Sequence, residues 1–366
     1  MSKHESALSA SRIKTLQQCS WKYWCNYKLK LPDKSNDGAN RGWICHLIFE
    51  LLGEPRHKKH FDSIIKSGSI FECPSIKRLT LYHAKRLNVD DDENLAHIDK
   101  MTVNGLHFDF FGEDDSVPDE AISEKDFDIV IAHGDISYRI RGFIDKLFLY
   151  KDKSFALIRD FKSSKQVFKG KEVTDNLQHL MYSLAVKHLY PEFKTRETEF
   201  VFLKFDLTKD MFNKRGNGLL KMEMVSSAEL SGLEYELSET QSYIDSFDED
   251  KAVSNFAGAA SYPSDGTFGG PLACGKDGFK ISRGEPVLDK DGNPIPAFIC
   301  SYRKPFEYYA LKNKDGSVIK TSFLEDEHDL LKAKSKGDTI ELMKYDGCPY
   351  WAPPENLDGG FVDFLS

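Results

Sequence analysis

"IRGFIDKLFLYKDKSFALIRDFKSSK", residues 140–165, has the alternation of two apolar strands joined by the polar turn KDKS. With the turn centred in KDKS, Tyr150 pairs with Phe155, and the same count puts Asp145 opposite Asp160. Strand alternation then sets Asp145, Leu147 and Leu149 on one face with Ala156, Ile158, Asp160 and Lys162. Two carboxylates so placed repel, and each raises the other's proton affinity unless a cation lies between them. Mg²⁺ or Mn²⁺ suits that position, because a hard divalent ion takes carboxylate oxygens and keeps exchangeable waters that give way to phosphate. Lys162 then stands where it can neutralise charge developing on a phosphate or position an attacking water. A surface salt bridge at the open end of a hairpin is the alternative account of the same three charges.

Outward from this hairpin the pattern remains mixed. Upstream, "KDFDIVIAHGDISYRIRG" reads as further strand with a turn at HGD. Downstream, "TDNLQHLMYSLAVKHLYP" reads as a helix with Thr174 or Asp175 near its cap and Pro191 ending it. "TEFVFLKFDL" is another strand. At the amino-terminal side, "SASRIKTLQQCSWKYWCNYKLKLP" is expected as a first helix, and "RGWICHLIFELLGE" as a second capped by Asn40. Residues 57–104 read as mostly helical. Helices, at least three strands, helix, strand is the order of an α/β core.

We expect that core at 9–207 and an elaboration at 208–366 packing on or near it. The elaboration begins with a helix in "SSAELSGLEYELSETQSYIDSFDED" and continues through a Gly/Pro-rich loop at 258–299. It then has a hairpin, "EYYALKNKDGSVIKTSF", turning at Asp315–Gly316. The 366 residues are 40% hydrophobic and 30% charged, the composition of a globular chain. No run approaches the roughly 18 apolar residues that span a bilayer, and the start lacks the pattern of a secretory leader, so an intracellular, non-membrane protein is expected. A net charge of -8 excludes a uniformly basic nucleic-acid coat but leaves a locally basic cleft open, as at "KSSKQVFKGK".

"GFIDKLFLYKDKSFALIRDFKSS" resembles the central motif of the PD-(D/E)xK nucleases, above all the RecB-type exonuclease branch: G-x-x-D on one strand and D-x-K on the next. That branch has an upstream G-x-x-x-H helix, here Gly42 to His46, and a downstream Q-x-x-x-Y helix, here Gln178 to Tyr182. The resemblance implies a restriction-endonuclease-like fold, a mixed sheet flanked by helices with helical and carboxy-terminal β elaborations. It implies that His46, Asp145, Asp160 and the Phe161 carbonyl hold Mg²⁺ or Mn²⁺. Lys162 would be the catalytic lysine, with Gln178 and Tyr182 lining the site. Taken singly, His46 among Trp43, Ile44, Leu47 and Ile48 fits an ordinary core histidine, and Gln178 with Tyr182 fits any amphipathic helix. The sequence departs from the motif in having Ile158-Arg159 before Asp160 instead of an obvious Pro-Asp pair.

The implied activity is metal-dependent exonucleolytic hydrolysis of DNA with an accessible end, in recombination, repair or replication. An endonuclease selective for structure or sequence, and a non-catalytic nucleic-acid-binding subunit on a nuclease fold, are the alternatives. Some RecB-type nucleases also hold an iron–sulfur cluster by one early and three late cysteines, and Cys19, Cys274, Cys300 and Cys348 resemble that set. These late cysteines are far apart whereas the family groups them tightly, so ordinary reduced cysteines are the expected reading. Structural zinc is a further alternative. "CSYRKPFEYYALK" reads as a packed hairpin face or a base-stacking one, and the tail "LDGGFVDFLS" suggests docking on a recombination or replication protein.

Overall fold

The computed structural model describes residues 6–33, 36–114, 116–205, 207, 218–254, 274–275, 278–289 and 292–350. Most of the Gly/Pro-rich stretch up to 273 and the tail "LDGGFVDFLS" lie outside the described residues. In chain order the first helices are α1 (Ala10–Gln18), α2 (Ser20–Tyr23), α3 (Asp37–Gly53), α4 (Lys58–Ser67), α5 (Pro74–Arg86) and α6 (Asp92–His107). Strands β1 (Glu120–His133), β2 (Ile136–Tyr150) and β3 (Phe155–Lys162) follow. Then come α7 (Lys171–Thr174), α8 (Leu177–Leu189), β4 (Thr195–Phe202), β5 (Leu219–Lys221), α9 (Ser227–Asp245) and α10 (Glu249–Val253). The last elements are β6 (Ile281–Ser282), β7 (Glu285–Pro286), β8 (Phe306–Lys312), β9 (Val318–Ser322), α11 (His328–Ala333) and β10 (Thr339–Tyr345).

Two compact units result: one comprises residues 1–10 and 35–245, the other 11–34 and 246–366. The division therefore falls at 245 instead of 207, and the early segment 11–34 groups with the carboxy-terminal residues. That segment is also not one helix: Cys19, at φ -166° and ψ 121°, is extended and separates α1 from α2.

The first unit is built on a five-stranded mixed sheet in the order β1-β2-β3-β4-β5. β3 and β4 are parallel, joined by the connection that contains α8, and the other pairings are antiparallel. The central hairpin has the expected register, with Tyr150 opposite Phe155 and Lys146 opposite Arg159. Ser154 closes the turn at φ 45°. Alternation sorts side chains to the two faces. Phe161, Val201 and Leu203 join Ile44, Ile48, Phe49 and Met101 of α3 and α6 in one apolar cluster. Phe200 and Phe202 pack with Met222 and Phe168 in another. α8 and α9 also pack on the sheet, burying Met181, Leu184 and Leu237.

Two helix caps differ from the expected ones. Asn36, not Asn40, caps α3, its side chain accepting from the Ala39 amide, while Asn40 lies inside the helix and donates to the Leu87 carbonyl. Asn176, not Thr174 or Asp175, caps α8 by accepting from the Gln178 and His179 amides. Arg159 explains the unusual pair before Asp160. It lies 1% exposed, bonds Glu199 at 2.6 Å, and rests against the rings of Phe108 and Phe148.

In the second unit β8 pairs with both β9 and β10. The expected hairpin turn is present, with Gly316 at φ 79°. Phe306, Tyr308, Phe323 and Tyr345 pack ring against ring, so the aromatic residues of "CSYRKPFEYYALK" serve mainly as a packed face. The Trp21 indole donates to the Tyr345 hydroxyl at 2.7 Å, tying α2 to β10. No helix among the described residues is long and apolar enough to cross a membrane.

Candidate active site

The site forms where β2 and β3 part. Their pairing ends at Lys146–Arg159, and beyond it Asp145 Oδ2 accepts from the Phe161 amide at 2.7 Å. That bond fixes one carboxylate oxygen, while Oδ1 faces His46 Nδ1 at 3.4 Å. His46 is brought there by α3, whose Gly42, one turn earlier, lies against Ser163 just after Lys162. A Cβ on Gly42 would stand 2.8 Å from Ser163 Oγ, so the absence of a side chain lets the helix approach the end of β3.

A residue not singled out from the sequence completes this corner. Glu124 of β1 lies between the pairs Ser123–Lys146 and Lys125–Ile144, opposite Asp145. Its Oε1 is 3.6 Å from His46 Nδ1. It holds φ 45°, a left-handed conformation unfavourable for a residue with a side chain. His46, Glu124 and Asp145 each place a ligand atom within 4.8 Å of the other two. The signal was present in the sequence: counting back from the HGD turn along both strands reaches Glu124 opposite Asp145.

Asp160 anchors the other half of the site and is 2% exposed. Its Oδ1 accepts from Gln178 Nε2 at 2.6 Å and from the Tyr182 hydroxyl at 3.3 Å. Its Oδ2 forms an ion pair with Lys162 Nζ at 2.6 Å. Lys162 Nζ also donates to Gln178 Oε1 at 2.7 Å. The amide of Gln178 thus bridges the carboxylate and the amine, and the one-turn spacing within α8 sets Tyr182 beside it.

Electrostatics marks the same centre. Burial, followed by repulsion from Asp145, raises the Asp160 carboxyl to about 6 against the opposing pull of Lys162 and His46. Burial disfavours charge on His46, yet Asp145 and Glu124 outweigh it and raise the imidazole to about 10. The carboxylates therefore draw positive charge into the site. An imidazole and two carboxylates, His46, Glu124 and Asp145, form a donor set that suits a divalent ion.

Cations lie beside the site. His97 is lowered by burial and by repulsion from Arg41, Lys204 and Lys165. Lys204 is lowered by burial and by Arg41 and Lys165. Lys204 follows Leu203, whose amide donates to the Lys162 carbonyl, and Arg41 adjoins Gly42, so the group lies around the carboxyl ends of β3 and β4. In the second unit Cys19, Cys274, Cys300 and Cys348 line a single small cavity with Lys22 and Arg303. No disulfide joins the described cysteines. Burial raises the Cys300 thiol, and Lys22 opposes that shift.

A metal-dependent nuclease is the class that this fold and donor set define. The family model of the PD-(D/E)XK nuclease superfamily matches residues 7–252, and the chain belongs to that superfamily. No curated protein matches it. Among solved structures, the crystal structure of SSO0001 is 13% identical, with 62% of this chain and 84% of that chain covered and a TM-score of 0.23. A likeness so distant carries no argument here.

Proposed function

We propose that the chain is a RecB-type exonuclease that hydrolyses DNA from an accessible end, with Mg²⁺ or Mn²⁺, in recombination, repair or replication. The observation that carries the reading is the pair of ion pairs His46–Asp145 and Asp160–Lys162 on neighbouring strand ends, close enough that Asp145 and His46 act electrostatically on Asp160. His46, Asp145, Asp160 and the Phe161 carbonyl would hold the ion, with Glu124 as an additional carboxylate. Bound there, the ion supplies Lewis-acid polarisation of a phosphate and lowers the proton affinity of water.

The chain's own groups do the remaining work. Lys162 Nζ places a positive charge beside the phosphate and can hold the attacking water. Gln178 keeps that amine aimed through its 2.7 Å contact. Tyr182 and Gln178 fix Asp160, so the charged centre is organised before substrate arrives. Arg41, Lys165 and Lys204 offer charge to neighbouring phosphates, and contacts to the backbone require no base sequence.

End-labelled linear and covalently closed DNA, incubated with Mg²⁺, Mn²⁺ or chelator, tests this reading. Metal-dependent loss of linear DNA while closed circles survive is expected, and Asp160→Ala and Lys162→Ala should each abolish it. Cleavage of closed circles would instead indicate an endonuclease. No cleavage of any DNA would favour a non-catalytic binding subunit.

A second assignment rests on the cysteine-lined cavity. We propose that Cys19, Cys274, Cys300 and Cys348 hold an iron–sulfur cluster. The observation behind it is that the four cysteines line one cavity, where Lys22 and Arg303 can offset the charge of four thiolates. Anaerobically purified protein should contain iron and sulfide and absorb broadly near ~400 nm. Absence of both elements would reject the assignment.

A further inference from the structure

Trp43 stands on α3 three residues before His46 and is 49% exposed. It lines a cleft of about 260 Å³ together with His46, Leu47, Glu50 and Glu124, so the metal-ligand corner forms part of the cleft wall. The indole is braced by the His83 ring, with centroids 5.1 Å apart. Tyr82, 54% exposed, adjoins His83 at 5.0 Å, and the Arg86 guanidinium lies 5.7 Å from the Tyr82 ring centroid. An aromatic row beginning at the reaction centre therefore reaches solvent.

We propose that this cleft takes one unpaired nucleobase of the substrate strand, stacked on the Trp43 indole, and that the site consequently selects single strands and frayed ends over intact duplex. The inference rests on the nuclease reading and adds its strand preference. Charge distinguishes a base from a phosphate as the occupant. Glu50, which is not in the metal-ligand group, lines the cleft, repels phosphate there, and can accept hydrogen bonds from amino or imino groups on a base edge. Lys162, Arg41, Lys165 and Lys204 supply positive charge for the phosphates instead. The volume lies below that of pockets for drug-sized ligands, and suits one planar base. Inside a duplex the base faces are covered by their neighbours, and a blunt end exposes only the outer face of a whole pair, which is wider than a cleft of this size, so an unpaired base is the occupant that fits.

The test uses the full chain in chelator, with a fluorescently labelled 12-nucleotide single strand and a blunt hairpin duplex as probes. Trp43→Ala should weaken binding of the single strand roughly tenfold or more, leave duplex binding unchanged, and Trp43→Phe should restore most of the loss. Quenching of tryptophan fluorescence by the single strand should diminish in Trp43→Ala. In the presence of Mg²⁺, wild type should cleave the single strand faster than the blunt hairpin, and the difference should shrink in the variant. Equal losses on both probes, or no loss on either while wild type still cleaves DNA, would overturn the stacking site alone. Failure of wild type to cleave any DNA with metal would instead reject the nuclease reading.

Discussion

Replacing Glu124 by glycine separates the conformational cost of this residue from its contribution to the metal site. At φ 45° a residue with a side chain occupies the left-handed region, at a cost of about 1–2 kcal/mol that glycine avoids. Glycine loses more freedom on folding, which returns about 0.5–1 kcal/mol. Glu124→Gly should therefore be more stable than Glu124→Ala in chelator by about 0.5–1 kcal/mol, the reverse of the order found at ordinary strand positions. Both variants lose the same contact with His46, so their difference isolates the backbone effect. Metal reports the other contribution. An ion at a hundred times its Kd stabilises the fold by about 2.7 kcal/mol, and a hundredfold loss of affinity leaves only about 0.4. Urea unfolding of wild type, Glu124→Gly and Glu124→Ala, with and without Mg²⁺, measures both quantities. The reasoning fails if the alanine variant is the more stable of the two in chelator, or if the metal-dependent increment survives in both.

Three further outcomes test the supports of the site. Gln178→Leu removes the amide that joins Lys162, Asp160 and Tyr182, and should slow cleavage about 10–100-fold in steady-state assays; an unchanged rate would remove its positioning role. A Cβ at Gly105 would lie 2.5 Å from Phe49 Cζ and 2.8 Å from Leu203 Cδ2. Gly105→Ala should therefore cost about 1–3 kcal/mol by urea unfolding. Glu199→Leu removes the nearer of the two carboxylates paired with the buried Arg159 guanidinium, Asp109 remaining at 3.3 Å, and should cost about 1–3 kcal/mol. Arg159→Met in the same chain should recover much of this, and a double variant no more stable than the single one would refute the pairing.

What could be read from the sequence follows from how far each contact reaches along the chain. The Asp145–Asp160 relation was legible because a tight turn and a two-residue period fix both strands by counting. Glu124 obeyed the same arithmetic through the HGD turn, but its left-handed backbone has no sequence signature in the triplet Ser123-Glu124-Lys125. Arg159 looked like a departure from a motif because Glu199, forty positions away, is what makes it tolerable in the sheet. Asn36 and Asn40 are both suitable caps. The Leu87 carbonyl, supplied by a different helix boundary, draws Asn40 into the interior and leaves the cap to Asn36. The cysteines are the extreme case: their wide spacing argued against a shared site, yet spacing constrains neighbours only when the intervening chain is short. Cys19 breaks the expected first helix and lines the same cavity as three late cysteines. A helix interruption at a buried cysteine was thus the local trace of a long-range packing arrangement.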